Sequence, residues 1–411
     1  MKRKKWLFTI SYIISLVSFQ ASAQDYPHEI DEYPFIKYEL NKLTFYGDSS
    51  GFEKLFNKFD KVVYDGTEQV DIIHMGGSHI QAGVFSAQMR KHLQTIQPGL
   101  HSYRGLIFPF RMARTNNPSN YGVHFTGSWE SCRNVEKKRS CTLGLTGISA
   151  TTYTPSTRIT VSFDQDYIPY DYQSVKVFHD TDTSSFTVVP GDSSLQVVPY
   201  PELGYTLVTT SIPQDSLTLH FVKTSPSQNH FTLYGLKFET KDPGFAYHAI
   251  GINGASVPSY LRCNLLPLHT QAVEPELIIF SIGINDAYTT KFSPSIFKQN
   301  YRDLIKMIKS VSPDVSIIFT TNNDSYYKRR YTNKNGEKVK EAMIELAKEH
   351  NAAVWDLYTI MGGYNSIATW ESYGLAKYDK IHFTSRGYVL AGDLFFSALV
   401  KAYEQHITKS Y

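Results

Sequence analysis

The chain has 411 residues, with 41 Lys and Arg against 38 Asp and Glu and a formal net charge of +3. Lys2, Arg3, Lys4 and Lys5 all lie at the extreme start, so the remainder is nearly neutral and argues against a nucleic-acid partner. Three cysteines are too few for a disulfide framework, and no run of about 18 apolar residues after the start offers a membrane-spanning helix.

The first 23 residues combine a basic start, an apolar stretch and a small-residue ending, Ala21-Ser22-Ala23, the layout of a cleavable secretory signal. No cysteine sits near its end for lipid attachment, and an exported protein, periplasmic or extracellular, is expected. Residues 69–98 then read as strand, tight turn and helix: "VDIIHM", "GGS", "HIQAGVFSAQMRKHLQ". From about Tyr121 to Lys241 the texture changes to short alternating runs such as "RITVSFD" and "SLTLHFVK", separated by turn residues, which predicts an antiparallel β-sandwich. Within it Cys132 and Cys141 are close enough in sequence to pair in an oxidising compartment; Cys263 reads as a buried small hydrophobe.

After residue 243 the α/β texture returns. "PELIIFSIGIND" is an apolar strand, and Ile296, Phe297, Tyr301, Leu304, Ile305 and Ile308 follow at helical spacing. "DVSIIFTTNND" is another strand, followed by a helix with Val339, Ala342, Met343, Leu346 and Ala347 on one face. A short strand "AAVWDLY" precedes a long last helix from near Thr384 or Ser385. The expected fold class is α/β, a doubly wound parallel sheet with helices on both faces, interrupted by the sandwich. The expected segments are a leader over 1–23, an α/β domain over 24–120 and 242–411, and an insert over 121–241.

In such sheets functional groups collect at the carboxyl ends of the strands. Gly76 and Gly77 permit a tight turn that exposes the Ser78 hydroxyl and turns its N–H into the positive end of a helix, so one residue can supply a nucleophile and an oxyanion donor. A serine there is equally a favoured helix N-cap, and this stretch alone does not separate the readings. "FSIGINDAY" places Asn285 at another strand end, and "YHAIGINGAS" offers Gly251 and Gly254 as N–H donors. In "GLAKYDKIHFTSRGY", Asp379 stands three residues before His382, a spacing that lets the carboxylate hold Nδ1–H and leaves Nε2 to take a proton.

Together these blocks resemble the SGNH hydrolases, also called the GDSL-like esterases: Gly76-Gly-Ser78, the glycine of "GINGA", Gly283-Ile-Asn285-Asp286 and Asp379-Lys-Ile-His382, in that family's order. The resemblance implies Ser78 as nucleophile, His382 as base, Asp379 as its orienter, and an oxyanion hole from the Ser78 N–H, the Gly254 N–H and the Asn285 side chain. The residue before the serine, usually aspartate, is Gly77 here. The interruption of the domain by a sandwich, with "GSHIQAG" and "RGLIFPFRMARTNNP", is similar to bacterial peptidoglycan O-acetylesterases, in which the insert looks like a carbohydrate-binding module. This implies hydrolysis of O-acetyl esters on a cell-wall glycan, with acetylated xylan, transfer to another sugar hydroxyl, or sugar binding alone as competing readings. Trp370 and Tyr373, ahead of the Asp379 loop, are candidates for lining the substrate. No cofactor is expected. Nor is a metal: His74, His79, Asp286 and His382 form no compact ligand motif.

Overall fold

The computed structural model describes residues 29–410 apart from 165–167 and 169, so the expected leader lies outside the described residues. Its central sheet has six strands in the order Leu43–Phe45, Ala353–Trp355, Ser316–Thr320, Leu277–Ser281, Gln69–Gly76, Gly244–Gly251. The last five run parallel, and Leu43–Phe45 closes the edge antiparallel to Ala353–Trp355.

Alternate side chains of these strands enter two cores, as the two-residue period of a strand dictates. Ile73, Met75, Ile278, Phe280, Ile317 and Phe319 face the helices Pro294–Lys309 and Asn335–His350. Val70, Ile72, Ile279 and Ile318 face Ser50–Asp60, Val84–Gln94 and the long Ser385–Ser410 helix. Burial on both faces is why these strands read as unbroken apolar runs. Of the expected helix face, Phe297, Tyr301, Leu304, Ile305 and Ile308 are buried, while Ile296, in the first turn, is exposed.

The expected helix over "HIQAGVFSAQMRKHLQ" is two helices, Ser78–Gln81 and Val84–Gln94. Gly83 separates them at φ +81°, with Pro118 so close that a Cβ would sit 3.0 Å from it.

The alternating region folds as two antiparallel sheets, one led by Tyr172–His179 and Phe231–Glu239, the other by Ser156–Phe163 and Ser216–Val222. They meet through inward residues such as Phe221 and Phe231, whose rings stack 4.0 Å apart. Gly105–Ile107 also joins the first sheet, upstream of Tyr121, and was too short a run to show alternation. Cys132 and Cys141 are bridged, and Cys263 is buried with its thiol pushed up to about 12 by burial.

A buried ionic network joins the two parts. Asp71, on the central strand Gln69–Gly76, accepts from the Tyr103 hydroxyl at 2.6 Å and meets Lys237 Nζ, from Phe231–Glu239, at 3.2 Å. Lys237 also reaches Glu239 at 2.9 Å. Burial alone would raise the Asp71 carboxyl, but Lys237, His248 and Tyr103 outweigh it and hold it well below the carboxylate range. Burial likewise opposes the Lys237 charge, and Asp71 and Glu239 still carry its pKa up to about 12. His248 Nδ1 accepts the Leu106 N–H at 2.8 Å, so its Nε2 carries the proton and donates to Asp71 at 2.8 Å.

Candidate active site

Ser78, Asn285 and the Asp379–His382 turn all stand at the carboxyl end of the parallel sheet. Gly76 ends its strand under Ile80, where a Cβ would lie 2.2 Å from Ile80 Cγ1. Gly77 is the N-cap of the short helix and Ser78 its first residue, with no side-chain cap bond present. The N-cap reading of Ser78 is therefore set aside: its hydroxyl meets His382 Nε2 at 2.8 Å.

The Asp379–His382 turn is shaped around the carboxylate. Lys380 adopts φ +54°, and this left-handed step brings the Ile381 and His382 N–H groups onto Asp379 Oδ1 at 2.9 and 3.0 Å. Asp379 Oδ2 faces His382 Nδ1 at 2.8 Å. Burial would raise this carboxyl, but the bonds from His382 and Ile381 hold it below its ordinary value. An ionised carboxylate only accepts, so Nδ1 bears a proton, and in the neutral ring Nε2 is then the acceptor that faces Ser78.

Asn285 donates one amide N–H to Ala255 O at 2.8 Å, which leaves the second for another acceptor. Its neighbour Asp286 takes the Val257 N–H on both oxygens at 3.2 Å, so the two residues clamp the loop containing Gly254. Gly254 has φ +83° and is exposed, with only Val135 Cγ1 near a Cβ position, at 3.9 Å. Gly251 is a packing glycine: a Cβ there would meet Gln81 N at 2.3 Å. Of the two rivals, Gly254 faces open space. Gly77, in the aspartate's usual place, sits beside the Asn285 amide; a Cβ would lie 3.3 Å from Asn285 Nδ2. The Ser78 N–H, first in its helix, has no intrahelical acceptor.

Ion pairing of Asp286 would be expected in so polar a loop, yet burial pushes its carboxyl up to about 7. The folded form thus holds this proton more tightly than the unfolded chain, whose carboxyl titrates near 3.8. That stabilisation is complete below the lower value and is lost as pH rises through about 7. Asp286→Asn is expected to reduce the fall in melting temperature across this window. Asp324, raised by burial to about 6, titrates in the same sense and keeps some of the slope. Melts from pH 4 to 8 giving identical slopes for both proteins would remove Asp286 from this role.

Trp370 is corrected by the structure: it is fully buried, stacks on Phe383 at 4.8 Å and donates to Met361 O, so it packs under the Asp379–His382 turn rather than lining a surface. Tyr373 is 47% exposed, but its ring packs on Phe35 at 4.8 Å and Tyr33 at 6.0 Å. His74 lies deep in its strand between Tyr247 and Ser281, apart from any ligand set. His79 is a residue whose place sequence reasoning missed. Its ring stacks on His382 at 5.1 Å and its Nδ1 meets the Tyr388 hydroxyl at 3.1 Å. Burial, then the charge of His382, lower its pKa to about 3, so a neutral ring backs the base. The signal was its position: the residue after Ser78 in a first helical turn lies alongside it.

Residues 215–390 match the model of the GDSL-like Lipase/Acylhydrolase family, a span holding Asn285, Asp379 and His382 but not Ser78. No curated protein matches the sequence. Among solved structures, one described as "Peptidoglycan O-acetylesterase in action, 5 min" is 20% identical with a TM-score of 0.74, covering 88% of this chain and 99% of its own. A lipase/acylhydrolase from Enterococcus faecalis is 22% identical over 37% of this chain and 74% of its own, with a TM-score of 0.30. An acetyl xylan esterase is 17% identical over 38% and 81%, with a TM-score of 0.31. The chain therefore shares the fold of the first of these structures, and over residues 215–390 it is similar to the GDSL-like lipase/acylhydrolases, a family of carboxylic ester hydrolases.

Proposed function

We propose that the protein is an exported serine esterase that removes O-acetyl groups from a cell-wall glycan, peptidoglycan foremost. The observation that carries this reading is the unbroken chain from Ser78 Oγ through His382 to Asp379, with both links at 2.8 Å. Ser78 Oγ attacks the acetyl carbonyl while His382 Nε2 takes its proton. The carbonyl oxygen becomes an oxyanion facing the Ser78 N–H, the Gly254 N–H and the free Asn285 N–H. Collapse breaks the bond to the sugar oxygen, which leaves with the proton from His382, and Ser78 keeps the acetyl group. Water, deprotonated by His382, then releases acetate and restores the serine.

The acetyl group offers little to hold, so selection falls to the surrounding glycan. The solved O-acetylesterase matches along 99% of its length and 88% of this chain, which supports a glycan polymer as substrate. Export is supported by the Cys132–Cys141 bridge, since such bridges persist in oxidising compartments. Acetate release from O-acetylated peptidoglycan and from acetylated xylan, measured side by side, tests the reading. Faster release from peptidoglycan is expected; release from xylan alone would move the protein to polysaccharide breakdown.

Asn285→Ala is expected to lower kcat by about 10²- to 10³-fold with little change in KM, the size of effect seen when one oxyanion donor is removed. Steady-state kinetics on 4-nitrophenyl acetate would show it. A change confined to KM would make Asn285 a loop tether through Ala255 and no more.

A further inference from the structure

Between the segments that bear Asn285 and His382 rises a short ribbon, Tyr326–Tyr327 paired with Tyr331–Thr332. It is tied to both. The Tyr326 N–H donates to Lys380 O, inside the Asp379–His382 turn, at 2.8 Å. On the other side the Lys328 N–H donates to the Tyr288 hydroxyl at 2.9 Å, and the Tyr288 and Tyr327 rings meet at 5.1 Å. Asn333 and Asn335 both donate to Ala287 O, two residues past Asn285. The ribbon therefore cannot move without one of the two catalytic loops.

Its tip carries Lys328, Arg329 and Arg330, all exposed, with Lys328 and Arg329 at φ +53° and +58°. Backbone of that kind favours glycine or asparagine, so two of the three cations are kept at positions that ordinary turn chemistry would fill otherwise. Exposed Lys377 and half-buried Lys380 stand in the adjoining turn. Among the described residues none of these five cations pairs with a carboxylate. Lys380 and Lys328 instead lie over the Tyr326 and Tyr327 rings, at 4.8 and 5.5 Å. Around them Tyr331 is 65%, Tyr378 85% and Tyr364 56% exposed, in a chain whose other large apolar side chains are mostly buried.

We propose that this ribbon is the docking wall for substrate and that it selects a glycan bearing carboxylates. The inference rests on the reading of Ser78 as a glycan esterase's nucleophile and adds the charge of the polymer. Phenol rings present flat apolar faces to the C–H faces of sugars, and Arg forks match carboxylates with two parallel bonds. A neutral polymer uses the rings alone and leaves the cations idle.

Binding by the Ser78→Ala protein, which holds polymer without turning it over, tests this. Its pelleting with peptidoglycan sacculi is compared with that of the same protein carrying Lys328→Ser, Arg329→Ser and Arg330→Ser. The sacculi are used intact and after carbodiimide amidation of their carboxyls. The ribbon substitutions and the amidation are each expected to weaken binding about tenfold, and together to do little more than either alone, because both remove the same charge pairs. Equal binding by the two proteins, or indifference to amidation, would overturn the proposal, as would tighter binding to a polymer with a phosphate backbone. In the Ser78 background, the ratio of kcat/KM on sacculi to that on 4-nitrophenyl acetate is expected to fall about tenfold through KM. A wild-type protein that releases no acetate from any glycan would refute the esterase reading, while the pelleting result still decides the ribbon.

Discussion

Ser78→Ala is expected to lower acetate release by about 10⁴- to 10⁶-fold, the range found when a triad nucleophile is removed, with the melting temperature nearly unmoved. The two halves of this expectation have separate causes. The Ser78 hydroxyl makes its one side-chain bond to His382 and caps no helix, so alanine keeps the turn, the N–H and the helix start. Gly76 and Gly77, not the hydroxyl, hold the corner in place. Acetate assays on 4-nitrophenyl acetate and on peptidoglycan, with a thermal melt of each protein, check both halves. Retention of more than a hundredth of the rate would remove Ser78 as nucleophile, and a large drop in melting temperature would recast it as a structural residue.

Asp379→Asn is expected to cost about 10⁴-fold in kcat, as when a triad carboxylate becomes an amide. Three hydrogens converge on this side chain, two on Oδ1 from backbone N–H groups and one on Oδ2 from His382 Nδ1. An asparagine can satisfy the backbone pair only by placing its oxygen at the Oδ1 position. Its NH₂ then faces His382 Nδ1, which must become an acceptor. The ring proton moves to Nε2 and points at Ser78, so the base is gone although every heavy atom stays in place. Rate measurements across pH are the check, since recovery at high pH would report a base regained by other means. A loss below tenfold would make Asp379 a turn residue only.

Much of this was legible because the chemistry needs local patterns. The strands ending at Gly76 and Ser281 are buried on both faces and so read as apolar runs, and the turn after each is set by glycines. The spacing of Asp379 and His382 alone fits a surface pair beside a helix start equally well; it was the company of the other three blocks that pointed to the pairing which a single left-handed residue, Lys380, closes. What was not legible depends on tertiary neighbours. The Leu43–Phe45 edge strand is three residues long and exists through its pairing with Ala353–Trp355. The break at Gly83 follows from Pro118, distant in sequence. Trp370 was misjudged because nearness in sequence to a catalytic loop does not say which side of the loop a ring occupies. The Tyr326–Thr332 ribbon was invisible for the opposite reason: two-residue strands have no period to detect.

The network around Asp71 also bears on how this molecule can be rearranged. Excising the antiparallel sheets would leave a carboxylate inside the central strand without Lys237, and removing one partner of a buried pair costs about 3–5 kcal/mol. A fold of ordinary stability, about 5–15 kcal/mol, loses a large share of its margin in that single cut. The antiparallel sheets are thus no detachable cassette: both parts should melt in one cooperative transition, and a graft in their place would have to bring its own lysine to the same position.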